Sequence, residues 1–383
     1  MKKINILFLI TTPKDTGPGK VLINLIKNIN RQKYNVFVGY LYNEGVLEAE
    51  LLSLVNKSIN FKQSGFFKGW LDILAIKRIS QFISENDIQI VNTHLVRANI
   101  YGYFACRITK TKYLPTVHND EYQYHPRNIQ EKIIGFIEVF IFHRIQKILC
   151  VSVSIRKILV DKFAIDINKI VVIENGIDSN YHDLLDNNVV LDIPINKDVF
   201  ENNIIFGTFA RLEPQKNIKI LLESILILKN TNRLEGKYFI IIGEGSECDF
   251  YKRFVDKNQL HKWISLIGYR QDIKNFYNLI NVFVLPSLWE GTSIALLEAL
   301  SFGLPVIISE VADHKRMFDL GVSGSIFSPN NPVQLADCID DISFGDLNKI
   351  GKINRATFLK YYTSEIMTQK YEKIFKELTH ANS

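Results

Sequence analysis

An α/β protein built from two parallel-sheet domains is what the 383-residue sequence predicts. Three observations carry that expectation. Short β-branched runs alternate with longer amphipathic stretches from end to end, the pattern of strands joined by right-handed helical crossovers. There are too many such units for one doubly wound sheet, and the pattern restarts after residues 178–203, a polar stretch rich in Asn and Asp. The length itself suits two domains at roughly 100–200 residues each.

In the first half, apolar runs predict strands at 4–10, 35–42, 88–93, 114–118, 148–153 and 170–174. Helix-length segments lie between them at 20–30, 71–85, 98–109 and 129–146. After the polar stretch, strands are expected at 204–210, 238–243, 264–268, 282–286 and 306–309. Helices are expected there at 218–229, 247–258, 273–279, 294–301 and 333–339. The pattern places a first domain at 1–185 and a second at 186–363. Residues 364–378 read as one amphipathic helix, with apolar Ile366, Met367, Tyr371 and Phe375. Ligands of such sheets bind beyond the carboxyl ends of the strands, so the chemistry is expected in a cleft between the domains.

Composition removes several classes. With 47% hydrophobic and 22% charged residues the chain is an ordinary globular one. Cys106, Cys150, Cys248 and Cys338 are scattered, with no C-x-x-C pair, which excludes a disulfide framework or zinc ribbon and suits a reducing compartment. The apolar run after Met1 lacks a signal-peptide cleavage site, and no stretch approaches the ~20 apolar residues of a membrane span. The expectation is a cytoplasmic protein, peripheral to the inner face of the membrane if it meets one. Residues 1–190 hold 24 Lys+Arg against 17 Asp+Glu, while the remainder holds 22 against 23. A basic first half suits an anionic partner, either lipid head groups or a phosphorylated substrate, and simple solubility accounts for it equally well. Nucleic acid is disfavoured, because no basic run or aromatic–basic signature appears.

The densest site signal is residues 286–300, where a strand ends at Pro286 and a helix begins near Thr292 or Ser293. The free N–H groups of Gly291, Thr292, Ser293 and Ile294 make an anion site for a diphosphate or sugar phosphate. Glu290 can accept hydrogen bonds from sugar hydroxyls, and Glu298 suits a ribose diol. An N-capped core helix with two surface glutamates explains the same spacing. A second signal, at 209–217, delivers Arg211 and Lys216 to one rim, where two cations can clamp a pyrophosphate; ordinary solvated cations are the alternative.

In the first domain, Gly17 and Gly19 follow the first strand and open a helix, so their N–H groups can approach phosphate. The spacing is not G-x-G-x-x-G and lacks the ribose-binding acid, which excludes NAD. His118 ends a strand, where it can bond a sugar hydroxyl or assist proton movement, or simply be structural. His94 is a weaker candidate for acceptor contact. No P-loop, H-E-x-x-H, G-x-S-x-G or metal-ligand spacing occurs.

Together these elements resemble the family-four, group 1 retaining glycosyltransferases of bacterial capsule, exopolysaccharide and lipopolysaccharide assembly. The likeness runs through Gly17 and Gly19, His118, Cys150-Val-Ser152, Glu174-Asn-Gly-Ile-Asp178, Arg211-Leu with Lys216, Ile242-Gly243-Glu-Gly245, Gly268-Tyr269 and the Glu290/Glu298 pair. It implies a GT-B architecture of two Rossmann-like domains, with residues 364–383 crossing back to the first domain. It also implies a nucleotide-sugar donor, UDP-linked, and a glycan or lipid-linked acceptor. By the same resemblance Arg211 and Lys216 hold the donor phosphates, Glu290 and His118 contact the sugar, and Glu298 contacts the ribose. Gly243 and Tyr269 join the donor site, and neither metal nor cofactor is expected. The anomeric configuration is retained through same-face attack.

Three departures from the family pattern concern the donor. Asn217 stands where glycine is usual, Thr292-Ser293 replaces an aromatic and a glycine, and Glu310-Val-Ala-Asp-His replaces a glycine-rich turn. Two alternatives stay open. A nucleotide-sugar epimerase of the same fold would need acid/base carboxylates in the first domain, with Asp120 and Glu121 as candidates. A non-catalytic glycan-binding homologue would have lost Arg211, Lys216 or Glu290, and all three are present. Residues 66–70, with three aromatics, and the apolar segment 133–147 with cationic ends are candidates for a membrane surface; core or acceptor lining is the alternative.

Overall fold

The computed structural model describes residues 3–12, 16–42, 48–61, 72–118, 129–183, 195–342 and 345–380. They form two compact units, one of residues 1–176 with 364–383 and the other of 177–363.

The first unit is a seven-stranded sheet in the order β3-β2-β1-β4-β5-β6-β7. Its strands are β1 (Ile4–Ile10), β2 (Tyr34–Tyr40), β3 (Lys57–Asn60), β4 (Ile90–His94), β5 (Lys112–Val117), β6 (Ile148–Cys150) and β7 (Ile170–Val172). Every pairing is parallel. Central strands buried on both faces need continuous apolar runs, and β1 supplies one in fully buried Ile6 to Leu9. The second unit is a six-stranded parallel sheet, β10-β9-β8-β11-β12-β13. It comprises β8 (Ile204–Phe209), β9 (Lys237–Ile242), β10 (Ile264–Gly268), β11 (Val282–Leu285), β12 (Val306–Ser309) and β13 (Gly324–Phe327). Strand order reverses beside β1 in the first sheet and beside β8 in the second, so β1/β4 and β8/β11 are the switch points at which such sheets bind ligands.

Two strands, β3 and β13, were not expected from the sequence. Both are four-residue edge strands, and an edge strand buries too little to need an apolar run. The helices Ala312–Asp319 and Leu347–Tyr361 also go beyond the expected set. Residues 177–183, assigned on sequence to the first domain, pack with the second unit. Ile177 bridges Thr363, and the Tyr181 hydroxyl donates to Glu298 Oε1 at 3.0 Å.

The helix Ser364–His380 packs on the helix Gly17–Asn28 in the first unit. Asn28 Nδ2 donates to Ser364 Oγ at 2.9 Å, and Phe375 sets its ring edge-on to both Phe8 and Tyr34. Its apolar face therefore completes the first unit's core, although the helix is last in the chain.

Candidate active site

In the second unit the structure brings two of the predicted residues, Lys216 and Glu290, together beyond the ends of β8 and β11. The chain leaves β8 through Arg211, whose side chain is exposed and makes no hydrogen bond or ion pair with a described residue. A short 3-10 turn, Pro214–Lys216, then brings Lys216 back over the sheet end. The turn closes at Asn217 with φ 52° and ψ 37°, left-handed backbone that glycine adopts freely and asparagine tolerates. Asn217 therefore makes the turn that a glycine would make, and its Nδ2 also donates to the Pro329 carbonyl at 2.9 Å.

The loop after β11 meets this turn. Leu288 N donates to the Gln215 carbonyl and Gln215 Nε2 to the Trp289 carbonyl, each at 2.9 Å, which ties the two loops together. Lys216 Nζ bonds Glu290 Oε1, with side chains only 15% and 7% exposed, and Ser287 Oγ donates to the same oxygen at 2.7 Å. Burial pushes the Glu290 carboxyl up, but the Lys216 charge and hydrogen bond, the Ser287 hydroxyl and His314 together hold it below its ordinary value. Glu290 is thus an ionised acceptor with one oxygen engaged by a cation.

Thr292 and Ser293 are buried, and Ser293 precedes the helix Ile294–Ser301 without a side-chain cap, which leaves the first-turn N–H groups without that partner. Glu298, one turn in, is buried, with Tyr181 donating to Oε1 at 3.0 Å and Tyr277 to Oε2 at 2.9 Å. Gly243 has φ 146°, and a Cβ there would sit 1.8 Å from the Ala210 carbonyl oxygen. Its bare backbone lets the end of β9 pass against the segment carrying Arg211. Tyr269 lies 55% exposed beyond β10.

Sequence reasoning missed His314. It lies within the divergent 310–314 segment, fully buried, with Nδ1 donating to the Ser309 carbonyl at 2.9 Å and Nε2 without a partner among described residues. Burial lowers its pKa while the Glu290 charge raises it, and burial prevails. The departure from the family pattern at this point was the available signal.

In the first unit the structure brings His118 and His94 together. His94 Nδ1 lies 2.8 Å from His118 Nε2, and His94 Nε2 lies 3.0 Å from Asn92 Oδ1. His94 was expected to meet an acceptor; it is fully buried with both ring nitrogens engaged. Burial lowers the His118 pKa to about 3 and that of His94 well below its ordinary value, so the pair is neutral. Gly17 and Gly19 open the helix after β1, with Pro18 in its first turn. Asp120, Glu121 and the aromatic segment 66–70 lie outside the described residues.

Comparison with known proteins decides the family. The model described as "Glycosyltransferase Family 4" matches residues 16–181, and that described as "Glycosyl transferases group 1" matches residues 192–352. The chain is a family-four, group 1 glycosyltransferase. Among relatives of this glycosyltransferase, an Escherichia coli UDP-Gal:alpha-D-GlcNAc-diphosphoundecaprenol alpha-1,3-galactosyltransferase is 29% identical over 249 residues. That alignment covers 63% of this chain and 62% of the relative. The O-antigen biosynthesis glycosyltransferase WclY of Escherichia coli is 24% identical over 98% of this chain and 99% of its own. Among solved structures, Anabaena HepE in complex with UDP superposes with a TM-score of 0.80 at 18% identity, over 98% of this chain and 100% of that one. The glycosyltransferase has the GT-B fold.

Proposed function

We propose that this glycosyltransferase retains anomeric configuration and moves a hexose or N-acetylhexosamine from a UDP-sugar to a glycan or lipid-linked acceptor of cell-surface polysaccharide, such as an O-antigen. The observation that carries the reading is the meeting of Lys216, Glu290 and an uncapped helix start at the β8/β11 switch point, with Arg211 on the same loop as Lys216. The relatives named for UDP-galactose transfer and O-antigen synthesis, and the UDP bound by HepE, support the same donor class.

In this reading Arg211, Lys216 and the N–H groups from Gly291 to Ile294 hold the diphosphate and offset the charge that grows as it departs. Those cations serve where a metal would otherwise be needed. Glu290 accepts from donor-sugar hydroxyls and Glu298 from the ribose. The acceptor hydroxyl oxygen attacks the anomeric carbon on the face from which the diphosphate leaves. The carbon–oxygen bond to phosphate breaks, and a departing phosphate oxygen takes the acceptor proton. His118 bonds a sugar hydroxyl. The alternative epimerase reading would rest on Asp120 and Glu121, which lie outside the described residues.

An anionic membrane at the inner face suits a lipid-linked acceptor. The helix Ile129–Arg144 exposes Ile129, Ile133, Phe136 and Phe140, with Arg144 stacked on Phe140. No helix of the described residues is long and apolar enough to cross a membrane. Sedimentation with anionic vesicles at low and high salt tests this part, and absence of binding at low salt rejects it.

Thermal unfolding with UDP, GDP, ADP and CMP tests the donor. A ligand at 100 times its Kd adds about 2.7 kcal/mol, a shift of several degrees. UDP alone is expected to shift the wild type, and Lys216→Ala to lose the shift. A selective shift with another nucleotide would replace UDP as the nucleotide of the donor.

A further inference from the structure

Four hydrogen bonds in the first unit settle where each proton of the histidine pair resides. Asn92 Nδ2 donates to the Leu114 carbonyl at 2.8 Å and to Thr116 Oγ1 at 3.0 Å. A carbonyl only accepts, so the amide orientation is fixed and Asn92 Oδ1 faces His94. Oδ1 in turn only accepts, so His94 Nε2 carries a hydrogen. In a neutral imidazole the other nitrogen is then bare, and His94 Nδ1 accepts from His118 Nε2–H. By the same rule His118 Nδ1 is bare. It is buried and has no partner among the described residues.

We infer that Asn92 and His94 are positioning residues that lock His118 in its Nε2–H tautomer, so that a bare Nδ1 at the end of β5 accepts a hydrogen bond from a substrate hydroxyl. The substrate half of this statement rests on the glycosyltransferase reading above; the tautomer half does not. A lone-pair acceptor selects a donor such as a sugar hydroxyl and disfavours a phosphate oxygen, which also only accepts.

The sheet explains why the chain of bonds holds. β4 and β5 are paired in register, His94 opposite Thr116, and His118 lies two residues further along β5's path. Asn92 and His94 likewise lie two apart on β4, so both project to the same face. The Phe8 ring flanks His94 with centroids 6.3 Å apart, an apolar neighbour that does not compete for its nitrogens. Leu95, next in sequence, has φ 76° and ψ 151°, a region nearly confined to glycine. Backbone held there beside a fully engaged histidine marks a position that the surrounding structure over-determines.

Tautomer-resolved nitrogen NMR of protein labelled with 15N-histidine tests the inference, with signals assigned by loss in His94→Asn and His118→Asn. The wild type is expected to show His94 and His118 as neutral Nε2–H rings with bare Nδ1. His94→Leu removes the acceptor for His118 Nε2–H, and is expected to mix the His118 tautomers and lower kcat severalfold, by no more than the roughly tenfold lost when His118 itself is removed. KM for the UDP-sugar should change much less. His94→Asn places Oδ1 near the lost Nδ1 and should restore both the tautomer and most of kcat, which separates positioning from a general folding defect. A protonated Nδ1 on His118 in the wild type overturns the inference, as does an unchanged kcat in a folded His94→Leu. A wild type that transfers no sugar refutes the functional reading, while its spectra still decide the tautomer.

Discussion

The carboxyl ends of the two sheets carry opposite chemistries on the same backbone plan. At the first, Asn92, His94 and His118 form a neutral chain of hydrogen bonds that ends in a bare nitrogen. At the second, Lys216 and Glu290 form a largely buried ion pair, with Arg211 exposed nearby in sequence. Both sheets are parallel and reverse their strand order at the first strand of the unit. The fold therefore supplies the strand ends, and the side chains alone decide what is recognised there. A neutral acceptor suits an uncharged hydroxyl, and a cationic rim suits a diphosphate.

The charged end is expected to carry the larger effect. Glu290→Ala and Arg211→Ala should each lower the rate of transfer by about 100-fold or more if they act on the transition state. Glu290→Ala also leaves Lys216 without its carboxylate, so a lower Tm should accompany the lost rate. Near wild-type transfer by either variant would remove that residue from the chemistry. At the neutral end His118→Ala removes a single hydrogen bond, and a loss of about tenfold is expected. If His118→Ala proved worse than Arg211→Ala, the division of labour between the sheets would have to be redrawn.

Acid separates the two ends by mechanism. His118, with its pKa lowered to about 3, stays neutral in the fold while the unfolded chain takes up a proton near pH 6.5. Its contribution is therefore complete above pH 6.5 and is lost as pH falls toward about 3, at up to about 1.4 kcal/mol per pH unit. His94 and His314 are lowered in the same direction. Glu290, held below its ordinary value, loses its contribution only at lower pH, below the usual carboxylate range. Unfolding followed from pH 7.5 to 4 should show falling stability well before carboxylates titrate, with a shallower slope in His118→Asn. An equal slope in that variant would mean His118 is charged or exposed in the fold.

Much of the fold was legible because buried parallel strands are built on continuous apolar runs, as in Ile6–Ile10 of β1, Phe239–Ile242 of β9 and all of β11. The edge strands β3 and β13 escaped because half-exposed residues such as Lys57 and Ser58 need no such run. At the second sheet, Arg211, Lys216 and Glu290 could be placed on strand ends from sequence, but their pairing could not, since Lys216 and Glu290 are 74 residues apart. His94 was misjudged for a similar reason. A histidine ending a strand looks available in sequence, and only the Asn92 and His118 side chains, brought over by sheet register, show that it is consumed.

The smallest expected effect concerns the turn that aims Lys216. Asn217 combines left-handed backbone with a hydrogen bond to Pro329. Alanine there would keep the strain and lose the bond, for about 1–2 kcal/mol. Glycine would lose the bond and relieve the strain, so its net change should stay within about 0.5 kcal/mol. Calorimetry of the two variants should therefore place Asn217→Ala a few degrees below wild type and Asn217→Gly close to it. Donor binding sharpens the test. Because the turn carries Lys216 to Glu290, Asn217→Ala should also raise the Kd for UDP, whereas a hydroxyl-binding defect at the first sheet should leave it unmoved. Equal stability of the two variants would mean that the left-handed turn is held by its neighbours, and that the charged strand ends of the second unit, like the neutral ones of the first, are set by side-chain contacts rather than by backbone preference.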